Sequence, residues 1–169
     1  GTPAYTVFLD LKKAYDTVDH DRALAILQDC GVGERMLHLL RNYWDSQQLV
    51  ARQAGYYGQP FCASRGLIQG DPASSTIFNI LTNAITCYWL YQARTDEAYE
   101  FGFRQAARDQ LAILYVNDGF LGARDPEWLQ LATTLLCKLF ARLGLATNVQ
   151  KTKQMTCIQD RRASFRYAR

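Results

Sequence analysis

Residues 111–123 constrain this chain more than any other stretch. Leu111 to Val116 and Phe120-Leu121-Gly122-Ala123 are apolar, β-favouring runs separated by Asn117-Asp118-Gly119. Asn, Asp and Gly tolerate the positive φ of tight turns, so the stretch is predicted to be a hairpin with a polar tip. A second apolar run, Tyr5-Thr6-Val7-Phe8-Leu9, reads as a buried strand that ends on an acid, Asp10.

Helical patterns fill most of the remainder. Asp19 or Asp21 can cap a helix running to about Cys30, with Leu24, Ile26 and Leu27 on its apolar face and Gly31 and Gly33 as stops. Glu34 to Ser46 is predicted as a second helix with Met36, Leu37, Leu40 and Tyr43-Trp44 inward. Leu49-Val50-Ala51-Arg52 and Tyr57 to Ala63 read as a hairpin about a glycine-bearing turn. Pro72 suits the first turn of a long helix reaching about Tyr91, where its missing N–H costs nothing. Pro126 to Leu143 is amphipathic and stopped by Gly144, and a last strand is expected from about Thr152 to Ile158. The order predicts an α+β fold, an antiparallel sheet with helices packed on one face.

Composition bounds the function. A chain of 169 residues with 49% hydrophobic content supports one domain with a sizeable core. Its apolar runs are broken by charges well short of the roughly 18 residues of a membrane span, which argues against a membrane partner. The N-terminus has no basic-then-apolar leader, and its abrupt start reads as a fragment in which Gly1-Thr2 fits a cloning remnant. A net charge of +3 permits a phosphate-bearing partner without demanding one. The five cysteines lack any Cys-x-x-Cys pair, which argues against a zinc site or disulfide framework. They read as buried free thiols in a reducing, intracellular compartment.

The acids carry the chemistry. If the strands ending at Asp10 and near Asp118 are neighbours, their carboxylates form a hard-oxygen site suited to Mg²⁺, which keeps several waters and borrows phosphate oxygens. Two such ions about 3.5–4 Å apart stabilise the attacking and leaving oxygens of an in-line phosphoryl transfer. Taken singly, an acid at a strand end is more often a solvated turn residue, and Asn-Asp-Gly needs no chemistry to make a turn.

Order and combination favour chemistry. Four segments carry the argument: residues 8–20 (Phe-Leu-Asp-Leu-Lys-Lys-Ala-Tyr-Asp-Thr-Val-Asp-His), residues 66–75 with Phe78-Asn79-Ile80, Tyr115-Val116-Asn117-Asp118, and Gly144-Leu145-Ala146-Thr147-Asn148 with Lys151-Thr152-Lys153. Together they resemble the palm of reverse transcriptases, most closely those of non-LTR retrotransposons and group II introns. The resemblance covers nearly the whole chain, residues 1–169, with part of the fingers between the first two motifs. It implies an RNA-directed DNA polymerase that adds deoxynucleotides to a DNA primer on an RNA or DNA template, with two Mg²⁺ (or Mn²⁺) ions. Asp10 matches the family's first metal-binding aspartate, with the Leu11 carbonyl as a further ligand and Asp118 as another acid. Tyr15 matches the aromatic beneath the incoming sugar, where a ring excludes a ribose 2′-OH. Gln69 and Gly70 match the segment against the nascent base pair and nucleotide. Lys151 resembles the lysine near the triphosphate, where it balances charge or protonates leaving pyrophosphate.

Pro72, Phe78 and Ile80 are assigned to helix start and core, and His20 to the start of a helix. Lys12, Lys13, Arg52 and Arg65 read as solvated faces.

Two departures matter. Asn117 stands where the family has an aspartate, which removes a full negative charge and predicts impaired activity. The family's N-terminal fingers and C-terminal thumb have no counterpart in these 169 residues; the chain would need those parts of the parent polypeptide to grip a duplex. The basic tail Arg161 to Arg166 reads as a solvated end or the start of the missing connection. A second function class follows from the same departures: a catalytically degenerate palm that binds nucleic acid or serves as a scaffold.

Overall fold

A computed structural model describes residues 4–95, 111–115, 118–157 and 166–167. It divides into two compact units, residues 1–14 with 82–169, and residues 15–81.

The first unit is built on an antiparallel sheet. Its strands are β1 (Ala4–Lys12), β6 (Leu111–Tyr115), β7 (Asp118–Ala123), β8 (Ala146–Thr147), β9 (Lys153–Cys157) and β10 (Arg166–Tyr167). The order is β10-β9-β1-β7-β6, with β8 also paired to β1. Side chains alternate along β1, and Val7, Leu9 and Leu11 are buried while Phe8 is exposed. Their partners in β7 follow: Val7 faces Leu121 and Leu9 faces Gly119, whereas Phe8 meets Phe120 edge-on at 5.2 Å. Helix α5 (Pro126–Arg142) packs on β1, β7 and β8. Asp125 caps it by accepting the Trp128 N–H at 2.8 Å, and Trp128, Leu129, Ala132, Leu136, Leu139 and Phe140 form its buried stripe. Gly144, at φ +91°, ends it. The Trp89 indole N–H donates to the Ala132 carbonyl at 2.8 Å, which locks α4 (Pro72–Thr95) to α5.

In the second unit, α1 (Ala14–Thr17) leads to α2 (His20–Asp29), whose cap is Asp19 accepting from the Arg22 N–H at 3.0 Å. Helix α3 spans Glu34–Ser46, the bounds expected. Its burial differs from expectation: only Trp44 is buried, while Met36 and Tyr43 are 52% and 41% exposed. Among the described residues of this unit α2 is the helix packed against α3, so one side of α3 is covered and the rest of its apolar stripe faces out. The hairpin forms two short ladders: β2 (Gln48–Leu49) with β5 (Phe61–Cys62), and β3 (Arg52–Gln53) with β4 (Tyr56–Tyr57).

Three further expectations are corrected. β1 does not end at Asp10; Leu11 and Lys12 continue it by pairing with Thr147 and Ala146 of β8, a strand too short to signal itself in sequence. Asp118 and Gly119 are strand residues, not turn residues, because Asp118 pairs with both Tyr115 and Asp10. The four cysteines whose side chains are described are not buried: Cys30, Cys62 and Cys87 are exposed and Cys137 is half-buried, all as free thiols, while the Cys157 side chain lies outside the described residues. The three exposed ones occupy a helix end, a short ladder and the outer face of α4, where burial does not reach them, and Cys137 sits at the edge of the buried stripe of α5. Among the described residues no helix is long and apolar enough to cross a membrane.

Candidate functional site

The β1–β7 register sets the site. Pairing runs without a break from Tyr5 opposite Ala123 to Asp10 opposite Asp118. Gly119 lets the strands approach: a Cβ there would lie 3.0 Å from a Leu114 methyl and 3.3 Å from the Leu9 Cβ. On the other edge of β1, the Asp10 carbonyl accepts the Asn148 N–H at 2.7 Å. That carbonyl is therefore turned away from β7, and Asp10 and Asp118 face each other as a non-hydrogen-bonded pair. Such pairs bring opposite side chains closest, with Cα atoms about 4.5 Å apart. By the same alternation the Leu11 carbonyl is directed away from β8, toward the β7 side.

Two acids directly opposite each other repel. The positive charge near them is Lys151, whose Nζ lies 3.9 Å from Asp10 Oδ1. Its loop is held by Asn148, whose carbonyl accepts from the Lys151 and Thr152 N–H groups at 3.1 and 2.9 Å. Lys151 is 71% exposed at its side chain and Asp10 only 18%. An ion pair with so solvated a lysine contributes roughly 1 kcal/mol at most, too little to offset a second carboxylate. Two carboxylates held this way suit a hard cation with several retained waters. Among the described residues no cluster of three or more His, Cys, Asp or Glu that could hold a metal ion exists; the oxygens this register brings together are those of Asp10 and Asp118, with the Leu11 carbonyl beside them. Asn117 lies outside the described residues, as does Val116.

Tyr15, Gln69 and Gly70 belong to the second unit. Tyr15 is half-buried, and its ring stacks on Phe78 at 4.8 Å and 17°. Its carbonyl accepts the Leu67 N–H at 2.8 Å, and the Val18 carbonyl accepts the Gly66 N–H at 2.7 Å. These bonds lace the segment before Gln69 onto the segment carrying Tyr15. Gln69 is exposed and lines an open recess with Asp16, Gln47 and Arg65. Gly70 has φ +92° and open space around it, so conformation and not crowding requires glycine there. Asp71 then caps α4, accepting from the Ala73 N–H at 3.1 Å and the Ser74 and Tyr43 hydroxyls at 3.2 and 3.3 Å. The helix start at Pro72 was expected; the Asp71 cap was not read from the sequence.

Two contributors escaped sequence reasoning. A Cβ on Gly66 would meet the Asp16 carbonyl oxygen at 2.9 Å, at φ +97°. The His20 ring hydrogen-bonds the Gly66 carbonyl at 2.7 Å and stacks on Trp44 at 4.5 Å. His20 is the first residue of α2, as its position suggested. A glycine ahead of Leu67 was visible, but its neighbour across 50 residues of chain was not.

Residues 1–167 match the family described as reverse transcriptase (RNA-dependent DNA polymerase). Among curated proteins, the chain is 28% identical to the Retrovirus-related Pol polyprotein from type-1 retrotransposable element R2 of Popillia japonica, over 86% of this chain and 20% of that protein. It is 31% identical to the like-named protein of Nasonia vitripennis, over 75% of this chain and 12% of that protein. The chain thus spans a fifth or less of these relatives' lengths. Among solved structures, the Candida tropicalis telomerase in complex with a telomeric RNA fragment superposes with a TM-score of 0.70 at 13% identity, over 92% of this chain and 26% of that one. A Candida albicans telomerase complex gives 0.61 at 17%, over 88% and 27%. At such identities the likeness is one of fold, an α+β palm with an antiparallel sheet.

Proposed function

The chain belongs to the reverse transcriptase family, and from that premise we propose that it is the catalytic palm of a non-LTR retroelement polymerase, weakened by Asn117. The reaction is template-directed addition of deoxynucleotides to a primer 3′-OH. The observation that carries the reading is the register that sets Asp10 against Asp118 with Lys151 beside them.

Asp10, Asp118 and the Leu11 carbonyl would hold divalent cations, Mg²⁺ or Mn²⁺, which supply charge neutralisation at the reacting phosphate and activation of the primer hydroxyl. The paired carboxylates hold their oxygens on one face of a rigid ladder, and this preorganisation favours charge that develops only in the transition state. Lys151 carries a solvent-exposed ammonium beside Asp10, suited to balancing triphosphate charge or giving a proton to leaving pyrophosphate. By resemblance, Tyr15 lies beneath the incoming sugar and selects against a 2′-OH. Gln69 and Gly70 contact the nucleotide and nascent base pair. The partners are an RNA or DNA template, a DNA primer and deoxynucleoside triphosphates, together with fingers and thumb segments of a longer polypeptide, in an intracellular setting.

Asn117 favours a second reading, a palm that binds nucleic acid without catalysis. An amide in place of a carboxylate removes one full charge from the cation's surroundings. Loss of one preorganised electrostatic contact costs about 3–4 kcal/mol of barrier, and each 1.36 kcal/mol is about tenfold in rate. Calorimetric titration with Mn²⁺ on the chain and on Asn117→Asp, and primer extension by a longer polypeptide with fingers and thumb carrying either residue, separate the readings. The polymerase reading expects tighter metal binding and at least a hundredfold faster extension by Asn117→Asp, with both lost in Asp10→Asn. Unchanged metal affinity in Asn117→Asp, with no extension on either template, would sink it and leave the scaffold.

A further inference from the structure

We propose that the hairpin of residues 48–62 is a stacking station for single-stranded nucleic acid, separate from the carboxylates. Tyr56 and Tyr57 are the most exposed aromatics of the second unit, at 81% and 71%. Adjacent strand residues point to opposite faces, so each side of the ribbon presents one ring. On one side Arg52 pairs across the ladder with Tyr57, and its guanidinium sits 5.5 Å from the ring centroid. A planar cation held against an exposed ring offers a base two stacking surfaces and a phosphate partner. On the other side Gln53 pairs with Tyr56 and adds a donor and an acceptor for base edges.

The turn makes this platform stiff. Ala54 and Gly55 have φ +48° and +86°, the two positive values of a type I′ hairpin turn, and the Gly58 N–H donates to the Ala51 carbonyl at 2.8 Å. Charge identifies the occupant. From Ser46 to Gly70 the sequence holds no Asp or Glu, while it holds Arg52, Arg65 and five glutamines. A polyanion with exposed π-faces meets no repulsion on this ribbon. A duplex hides its base faces, so the complementary form is the single strand.

The test is fluorescence anisotropy of labelled oligo-dT and oligo-U in EDTA, without nucleotides, so that the carboxylate site contributes nothing and its failure or success is read separately. Base–aromatic stacking of about 1–3 kcal/mol per base makes the expected loss in Tyr57→Ala about tenfold on single strands, with little change on a duplex of equal length. Tyr57→Trp should bind as tightly as the parent chain or more so. Tyr57→Val keeps a strand-forming side chain without the ring and should lose as much as alanine, so the comparison survives if the alanine variant misfolds. Arg52→Gln should reduce the salt slope by about 0.7 for one lost phosphate contact on a single strand. The dT and U arms distinguish DNA from RNA as the source. Equal affinities for Tyr57→Trp and Tyr57→Val, or equal losses on strand and duplex, overturn the proposal. Absence of any single-strand binding does so too, and reassigns the rings to a protein partner.

Discussion

At the scale of single residues, Gly66 is the least replaceable position described in the second unit. Alanine there combines a left-handed φ of +97° with a Cβ 2.9 Å from a backbone oxygen of Asp16. Backbone cannot swing aside like a side-chain tip, so the Gly66–Val18, Leu67–Tyr15 and His20–Gly66 hydrogen bonds must shift together. We expect Gly66→Ala to lower unfolding free energy by about 2–3 kcal/mol in urea titration, whereas Gly70→Ala meets only the φ penalty, about 1–2 kcal/mol. Similar losses for the two would mean that the contact at Asp16 is relieved cheaply. The contrast also marks a limit of sequence reading. Both glycines were visible, but which one is crowded depends on a neighbour 50 positions earlier in the chain.

At the scale of elements, much of the fold was legible because local patterns and tertiary demands agree. The bounds of α3, the Pro72 start of α4 and the β-favouring run of β1 each require nothing from afar. What was not legible depends on pairing. β8 is two residues long and exists because Leu11 and Lys12 need partners; without it β1 seems to stop at Asp10. Asp118 reads as a turn residue until its two neighbours, Tyr115 and Asp10, are known. For the candidate site, sequence named Asp10, Asp118 and Lys151, but only the register brings them together. The 53–56 turn gives an element-scale prediction. Ala54 holds a left-handed φ that costs an ordinary residue roughly 1–2 kcal/mol, while Asn accepts it more easily. Ala54→Asn should therefore slow amide exchange at Gly58, whose N–H closes the ladder onto Ala51, and raise the melting temperature slightly. Faster exchange at Gly58 would mean that the turn is not the type its two φ values describe.

At the scale of the whole molecule, charge and family point in different directions. The family match runs through residues 1–167, yet the net charge is only +3, from 19 basic and 16 acidic residues. A polymerase must hold duplex as well as chemistry, and duplex affinity comes mainly from neutralised phosphates. If this chain neutralises about three, log K falls with a slope near −2.7, and affinity drops about 40-fold between 50 and 200 mM salt. A protein making 6–10 phosphate contacts loses about 10³–10⁵ over that range. Anisotropy of a labelled duplex across a salt series decides between these cases. The shallow slope would mean that duplex grip in a longer polypeptide is supplied chiefly from outside these 169 residues, in keeping with a chain that spans a fifth or less of its relatives. A steep slope would mean that the basic residues read as solvated faces, Lys12, Lys13, Arg52 and Arg65 among them, act together on phosphates despite their scatter in sequence. In that case the palm itself grips its substrate, and Asn117→Asp alone should be enough to restore extension without added segments.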